Sequence, residues 1–255
     1  MTIIVPYRDR AEHLMTWMPH IAQYLSSCRF RVLVIEQADA SPFNRGALLN
    51  VGFQLSRNEA SWVVFHDIDM LPISTDCDYS RPLAVSHISN RIEQFGFTLP
   101  YRNYIGGVVT CTVQAFTEVN GFSNKYAGWG CEDDDFFVRC VIAKLPIERR
   151  TGVFKSLRHP RPSRVAANDR QFAEVINKCF SGTNVGVPHI DARLFRRVKP
   201  NLFLMQAEAG FTYMQTDGLT TVNFMILNRC PLRTRFVSLA TVEERHEIIT
   251  VRLGE

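Results

Sequence analysis

Three short apolar runs punctuate the first part of the chain: Ile3-Ile4-Val5, Val32-Leu33-Val34-Ile35 and Trp62-Val63-Val64-Phe65. None alternates with polar residues, and most positions are β-branched, so each reads as a strand buried on both faces. Pro6 is expected to stop the first, and a polar turn, Tyr7-Arg8-Asp9-Arg10, follows it. Leu14, Trp17, Met18 and Ile21 then recur at helical spacing and predict an amphipathic helix. A polar loop from Glu36 to Pro42 leads into Phe43 to Leu55, where Leu48, Leu49 and Phe53 share one helical face. Strand, helix, strand, helix, strand is the pattern of a parallel sheet with crossover helices. Such sheets bind ligands beyond the carboxyl ends of their strands. Arg8 and Arg10 fall at one such end, and Asp67 and Asp69 at another.

The rest of the chain is less regular. Leu71 to Pro100 reads as a long excursion with weak structure. Tyr104 to Val109 returns to strand character, and its paired Gly106 and Gly107 would let a ligand approach the backbone. A short helix is expected over Phe116 to Val119, ending at Asn120-Gly121, and another from the acidic run at Glu132 to about Leu145. Arg161 to Arg170 reads as loop. Phe211 to Tyr213, Thr221 to Leu227 and Phe236 to Leu239 read as strands of an antiparallel element. No internal repeat or low-complexity tract divides the chain, so residues 1–255 are expected to form one domain.

A hydrophobic content of 46% and a charged content of 21% over 255 residues exclude a disordered chain. The net charge of +4 suits an anionic small ligand and falls short of a nucleic-acid signature. Seven cysteines with no Cys-x-x-Cys point to reduced thiols and a reducing compartment. No stretch approaches the length of a membrane span.

The candidate chemistry lies in two acidic clusters. Asp67-Ile68-Asp69 ends a strand, as suits a divalent cation bridging a pyrophosphate, and arginines at a neighbouring strand end would match phosphate oxygens. Glu132-Asp133-Asp134-Asp135 follows the turn Gly128-Trp129-Gly130-Cys131 and could supply a general base. His159 is a candidate second metal ligand or a structural histidine. No P-loop or dinucleotide-binding glycine pattern is present. A nucleotidyltransferase using two metals, or a binding protein without catalysis, stays open at this level.

Three blocks then occur in order: Phe43-Asn44-Arg45-Gly46-Ala47-Leu48-Leu49-Asn50-Val51-Gly52-Phe53, His66-Asp67-Ile68-Asp69-Met70-Leu71-Pro72, and Gly128-Trp129-Gly130-Cys131-Glu132-Asp133-Asp134-Asp135. With Val5 to Arg10, Phe95 to Tyr101, Tyr104 to Gly107 and Asn120 to Asn124, they resemble the signature blocks of the animal-type β-1,4-galactosyltransferases over about residues 2–160. The resemblance implies a glycosyltransferase-A fold, with a mixed, mostly parallel central sheet flanked by helices and a C-terminal antiparallel element. It implies inverting transfer of galactose from UDP-galactose to a saccharide acceptor (xylose, N-acetylglucosamine or glucose), with Mn2+ as cofactor. By that likeness Pro6, Tyr7, Arg8, Arg10, Phe43, Arg45 and Asp67 would hold the nucleotide, and Tyr104 and Gly107 would lie beside the donor sugar. Trp129 would sit on a small loop that moves over the donor. Asp69 and His159 would bind the metal, Asp133 would be the base, and Glu132 would grip sugar hydroxyls. About residues 1–125 would form the nucleotide-sugar part and 126–255 the acceptor part, with a mobile loop at about 160–185.

The chain also departs from the family pattern. Ser156 stands where relatives acting on N-acetylglucosamine usually carry a methionine metal ligand, and Arg161 where relatives acting on xylose carry a second histidine. Cys131 replaces the usual Gly or Arg. With no stem, anchor or disulfide framework, the expected setting is a cytoplasmic enzyme of bacterial or viral type, or else the trimmed catalytic domain of a Golgi enzyme. A UDP-N-acetylgalactosamine-using transferase, or an inactive lectin-like protein on the same fold, is the alternative function.

Overall fold

The computed structural model describes residues 1–160, 162–179, 207–232 and 245–254. The expected opening is present. Strand β1 (Thr2–Tyr7), helix α1 (Ala11–Tyr24), β2 (Arg31–Gln37), α2 (Arg45–Ser56) and β3 (Trp62–His66) follow in turn. β1 pairs in parallel with β2 on one side and β3 on the other. It runs through Pro6 to Tyr7 rather than stopping before the proline.

Both faces of these strands are covered. Ile3, Val5, Val32, Val34 and Val64 pack with Leu14, Trp17, Met18 and Ile21 of α1. Ile4, Leu33, Ile35, Val63 and Phe65 pack on the opposite side with Leu48, Leu49 and Phe53 of α2. α2 lies close on β1 because Gly52 has no side chain: a Cβ there would come within 2.3 Å of Ile4 Cγ2. Asn44 caps α2, its side chain accepting from the Ala47 N–H at 2.9 Å.

The excursion after Asp69 has more structure than its sequence suggests. It contains β4 (Met70–Pro72), β5 (Val85–His87) and β6 (Arg91–Ile92). β7 (Val108–Thr112) then pairs antiparallel with β3. It leads into α3 (Val113–Glu118), α4 (Glu132–Ile142), β8 (Ile147–Arg149) and β9 (Val153–Ser156). Within the expected loop from Arg161 to Arg170, α5 (Ala166–Cys179) begins at Ala166, so of the described residues there only 162–165 lie outside a helix. Phe211 to Tyr213 belongs to a helix, α6 (Ala207–Thr216), and not to a strand. The segment packs as a helix against α4 and α5, where tertiary contacts override local preference.

Two strands close the described chain, β10 (Phe224–Pro231) and β11 (Glu247–Leu253), and they pair antiparallel. β11 joins β2 in parallel, giving an eight-stranded sheet of order β10-β11-β2-β1-β3-β7-β5-β8. The expected mixed, mostly parallel sheet is present, with the antiparallel C-terminal element added to its edge. The expected strand over Phe236 to Leu239, Arg161, and the part of the expected mobile loop from 180 lie outside the described residues. A second sheet, β4-β9-β6, sits beyond the carboxyl end of β3.

Candidate active site

The carboxyl ends of β1, β2 and β3 open on one side of the sheet. Because β7 is antiparallel to β3, with His66 opposite Val108, the Gly106-Gly107 turn before β7 lies at the same edge. The Asp67 N–H donates to the Gly107 carbonyl at 3.0 Å. His87 Nε2 and Ser89 Oγ meet the Gly106 carbonyl at 2.9 and 3.0 Å. Burial pushes His87 down to about 3, so its ring is neutral. The turn is therefore fixed from behind.

Arg45, in the first turn of α2, joins the two acidic clusters. Its Nε donates to Asp67 Oδ1 at 2.7 Å and one terminal nitrogen to Asp133 Oδ1 at 2.7 Å, with Glu132 Oε1 at 3.9 Å. Burial works against the Arg45 charge, but Asp133, Asp67 and Glu132 hold it firmly protonated. Burial raises Asp67 above the usual carboxylate range despite Arg45, and the nearby Asp69 and Asp133 add to the rise. Glu132 is raised by burial first and by Asp133 second.

The four consecutive carboxylates do not face one site. All lie in the first turn of α4, and at about 100° per residue they radiate around its axis. Glu132 and Asp133 face Arg45. Asp134 accepts from the Tyr101 hydroxyl at 2.6 Å, and burial lifts it to about 6. Asp135 is fully buried on the far side, where it accepts from Arg139 Nε at 2.6 Å and the Tyr126 hydroxyl at 3.1 Å, and also from Tyr213. Arg139 in turn reaches the Asp217 carbonyl at 2.8 Å. Asp135 therefore anchors the helix from within. Asp135 and Arg139 stand four apart on one helix face, the spacing at which side chains meet.

Asp133 has its second oxygen over Gly106. A Cβ on that glycine would come within 2.6 Å of both Asp133 Oδ2 and the Tyr104 hydroxyl. The absent side chain thus leaves space where the Asp133 carboxylate and the Tyr104 phenol face one another. Tyr104 is packed edge-on by His87, Phe95 and Tyr101.

Asp69 and His159 meet through the second sheet. Met70 of β4 pairs with Ser156 of β9, and the Leu157 N–H donates to the Asp69 carbonyl at 2.7 Å. This places His159 Nε2 3.1 Å from Asp69 Oδ2. That is about the separation of two donors sharing one cation with bonds near 2.1 Å. The Asp69 hydrogen bond raises His159, against the effect of burial. Among the described residues no three His, Cys, Asp or Glu side chains are grouped to hold a metal unaided. A carboxylate and an imidazole suit a divalent cation whose other positions go to a ligand or to a further side chain.

The remaining candidates border this edge. Pro6 and Tyr7 end β1 opposite Ile35 and Glu36. Arg8 donates to the Ser41 carbonyl at 2.7 Å and lies 5.4 Å over the Phe43 ring. Arg10 meets His159 Nδ1 at 3.2 Å. Trp129 is 48% exposed, with Arg164 5.7 Å over its ring. Its turn is tied to Phe43 through the Gly128 N–H at 2.8 Å and to the start of α5 through the Val165 N–H at 3.2 Å. Asn168 holds the Ala127 and Gly130 carbonyls at 3.2 and 3.1 Å. Tyr101, Arg164 and His13 also border the site and were not singled out from sequence. Each is one polar residue in an irregular or helical stretch, and only folding brings it to the carboxylates.

Residues 1–81 match the sequence profile described as the N-terminal region of glycosyl transferase group 7. Residues 86–161 match the one described as the N-terminal domain of galactosyltransferase. β-1,4-galactosyltransferase 1 of Homo sapiens is 37% identical over 182 residues, 69% of this chain and 46% of that protein. Human β-1,4-galactosyltransferase 7 is 36% identical over 165 residues, 62% of this chain and 50% of that protein. The chain thus spans about half the length of these curated relatives. The solved catalytic domain of Drosophila β-1,4-galactosyltransferase 7, in complex with xylobiose, superposes with a TM-score of 0.69 at 25% identity, covering 100% of this chain and 94% of that one. A variant of that Drosophila enzyme, in complex with manganese, UDP-Gal and xylobiose, gives a TM-score of 0.65 at 27% identity, with the same coverage of both chains. The relatives are animal β-1,4-galactosyltransferases, which overturns the expectation of a bacterial or viral cytoplasmic enzyme. Among the described residues no helix is long and apolar enough to cross a membrane.

Proposed function

Because this chain belongs to the β-1,4-galactosyltransferase family, we propose that it transfers galactose from UDP-galactose to a saccharide hydroxyl with inversion, using Mn2+. The observation that carries this reading is the meeting of Arg45, Asp67 and Asp133 at one strand edge, beside the Asp69–His159 pair. We also propose that residues 1–125 chiefly hold the nucleotide sugar and 126–255 the acceptor.

In this reading Arg8 and Phe43, stacked at the end of β1, border the nucleotide with Pro6, Tyr7 and Arg10. Asp69 and His159 hold the cation, with Asp67 orienting what surrounds it. When bound, Mn2+ neutralises the negative charge that gathers on the departing UDP. Asp133 accepts the proton of the acceptor hydroxyl. Its Oδ1 is fixed by Arg45 and its Oδ2 is turned toward the space over Gly106. Glu132, which burial and Asp133 bias toward its protonated form, donates a hydrogen bond to a sugar oxygen. Tyr104 borders the donor sugar with the backbone of Gly107, and Trp129, on its tethered turn, covers the donor.

The experiment is an acceptor screen with UDP-galactose and Mn2+ over β-xylosides, glucosides and N-acetylglucosaminides, reading UDP release and product linkage. Xylosides come first, because the solved relatives hold xylobiose. The expected result is metal-dependent β-1,4-galactosylation of at least one class. Hydrolysis of UDP-galactose without transfer, or no turnover with any acceptor, would defeat the reading.

A further inference from the structure

β8 ends in Arg149, and Arg150 follows it. The two arginines are satisfied differently. Arg150 pairs with Asp78 and Glu148 at 3.3 Å each. Arg149 has no carboxylate partner among the described residues, although it is half-buried. β5 and β8 run parallel with His87 opposite Arg149, and this register brings the two side chains together. One terminal nitrogen of Arg149 meets His87 Nδ1 at 2.5 Å and also donates to the Tyr104 carbonyl. The other donates to the Arg102 carbonyl at 3.0 Å. Burial pushes Arg149 down to about 10, so it stays charged at neutral pH.

The proton positions follow from the chemistry of the groups. An arginine has donors only, whereas a neutral imidazole has one donor and one acceptor. Beside Arg149, His87 Nδ1 must accept, which puts the ring proton on Nε2. That nitrogen then donates to the Gly106 carbonyl at 2.9 Å. The Ser89 hydroxyl accepts from the Val108 N–H at 2.8 Å and donates to the same carbonyl at 3.0 Å. Every donor in this set has an acceptor, in one direction from guanidinium to imidazole to turn. The opposite tautomer would set Nδ1–H against the guanidinium and leave a bare nitrogen lone pair facing the Gly106 carbonyl. The same planar fork clamps the Arg102 and Tyr104 carbonyls, and the Tyr104 N–H closes on the Tyr101 carbonyl at 3.1 Å.

Resting on the transfer reading above, we infer that Arg149 is a positioning residue of the donor-sugar pocket. It sets the His87 tautomer and, through that ring and the two loop carbonyls, fixes both the Gly106-Gly107 turn and Tyr104. The two elements that border the donor sugar are thus held by one side chain from the far edge of the sheet. A charge without a counter-charge is costly to desolvate, and here only the loop's acceptors repay it.

The test uses the whole protein. Proton–nitrogen correlation spectra of the imidazole rings, with His87 assigned through its contact with Tyr104, read the tautomer at neutral pH. A single proton on Nε2 is expected. A proton on Nδ1 overturns the relay, and this measurement needs no variant to fold. Titrations with Mn2+ present then give the affinities of UDP and UDP-galactose, and initial rates give kcat/KM for UDP-galactose. Arg149→Met is expected to lose about 10- to 100-fold in kcat/KM, the scale of a placement error of about 1 Å, while its affinity for UDP, which lacks the sugar, stays within about twofold. Arg150→Met, the same change one residue on, is expected to keep kcat/KM close to that of the unmodified protein. No loss in Arg149→Met, equal weakening of UDP and UDP-galactose, or equal losses in the two variants would each overturn the role of Arg149. If the unmodified protein neither binds nor uses UDP-galactose, the transfer reading itself falls, and the inference with it.

Discussion

Replacing Arg45 with methionine removes the positive charge that Asp67 and Asp133 share while keeping the side-chain volume. The Arg45 side chain is 11% exposed, Asp67 26%, Asp133 21% and Glu132 10%. Losing one partner of a buried ion pair typically costs about 3–5 kcal/mol, because the other charge stays buried and unpaired. Two carboxylates lose a charge-assisted bond here, but each keeps about a fifth to a quarter of its surface in solvent, which relieves part of the penalty. The expected loss is therefore near the lower end, about 3 kcal/mol at pH 7.5. Its pH dependence follows from the protons. Burial already holds Asp67 and Glu132 above the ordinary carboxylate range, and without Arg45 they keep their protons more firmly still. The folded variant then binds more protons than its unfolded chain, so its stability rises as pH falls. Between pH 7.5 and 5 the gap to the unmodified protein should narrow by about 1–2 kcal/mol, at about 1.4 kcal/mol per unit of pKa. Urea unfolding followed by tryptophan fluorescence at both pH values measures it. A loss below about 1 kcal/mol at pH 7.5, or a gap that widens on acidification, would refute the reasoning.

Asp133→Asn should keep UDP and Mn2+ binding and lose transfer by about 10² to 10⁴ in kcat; near-normal turnover would remove Asp133 as the base. Tyr104→Leu should raise use of UDP-N-acetylgalactosamine about ten- to a hundredfold relative to UDP-galactose by freeing space next to Asp133. Equal initial rates with the two donors before mutation would reject Tyr104 as the gate. Asp134, lifted to about 6 by burial, destabilises the fold as pH rises from its unfolded value near 4 through 6. Asp134→Asn should therefore be more stable than the unmodified protein at pH 7.5, by up to about 3 kcal/mol, and no more stable at pH 4. Denaturation midpoints that move in parallel at both pH values would contradict this.

The parts of the fold legible in the sequence are those where burial alone decides. β1, β2 and β3 are apolar on both faces, and the four residues predicted to form the α1 stripe are the four it buries. β5 was illegible because two of its three residues, Ser86 and His87, are polar. Both are fully buried, yet Ser86 bonds Glu148 and His87 bonds the Gly106 carbonyl, partners that only the fold supplies. In the acidic run, the composition was visible and the direction of each side chain was not. Four like charges in a row read as one cluster, but the helix sends Asp135 into the core to Arg139 and Asp134 to Tyr101. His13 offered no signal beyond being one histidine on an amphipathic helix, and its proximity to His159 is a product of the β4–β9 pairing.

The position of β11 bears on how this chain is made. Synthesis proceeds from the N-terminus, so β1, β2 and β3 emerge long before Glu247 to Leu253. Until β11 arrives, β2 lies at an open edge, with Val32 to Ile35 in the strand and unpaired backbone groups along it. The Val32 N–H that His246 finally accepts, at 3.0 Å, waits for a residue 214 positions downstream. Asp135 and Arg139 likewise wait for Tyr213 and Asp217 before the acidic helix is locked. A nascent chain of this topology carries an adhesive edge until β11 has been made, and such long-range closure is slow. Among the described strands β11 is therefore the one that covers β2 and moves the sheet's edge outward to β10.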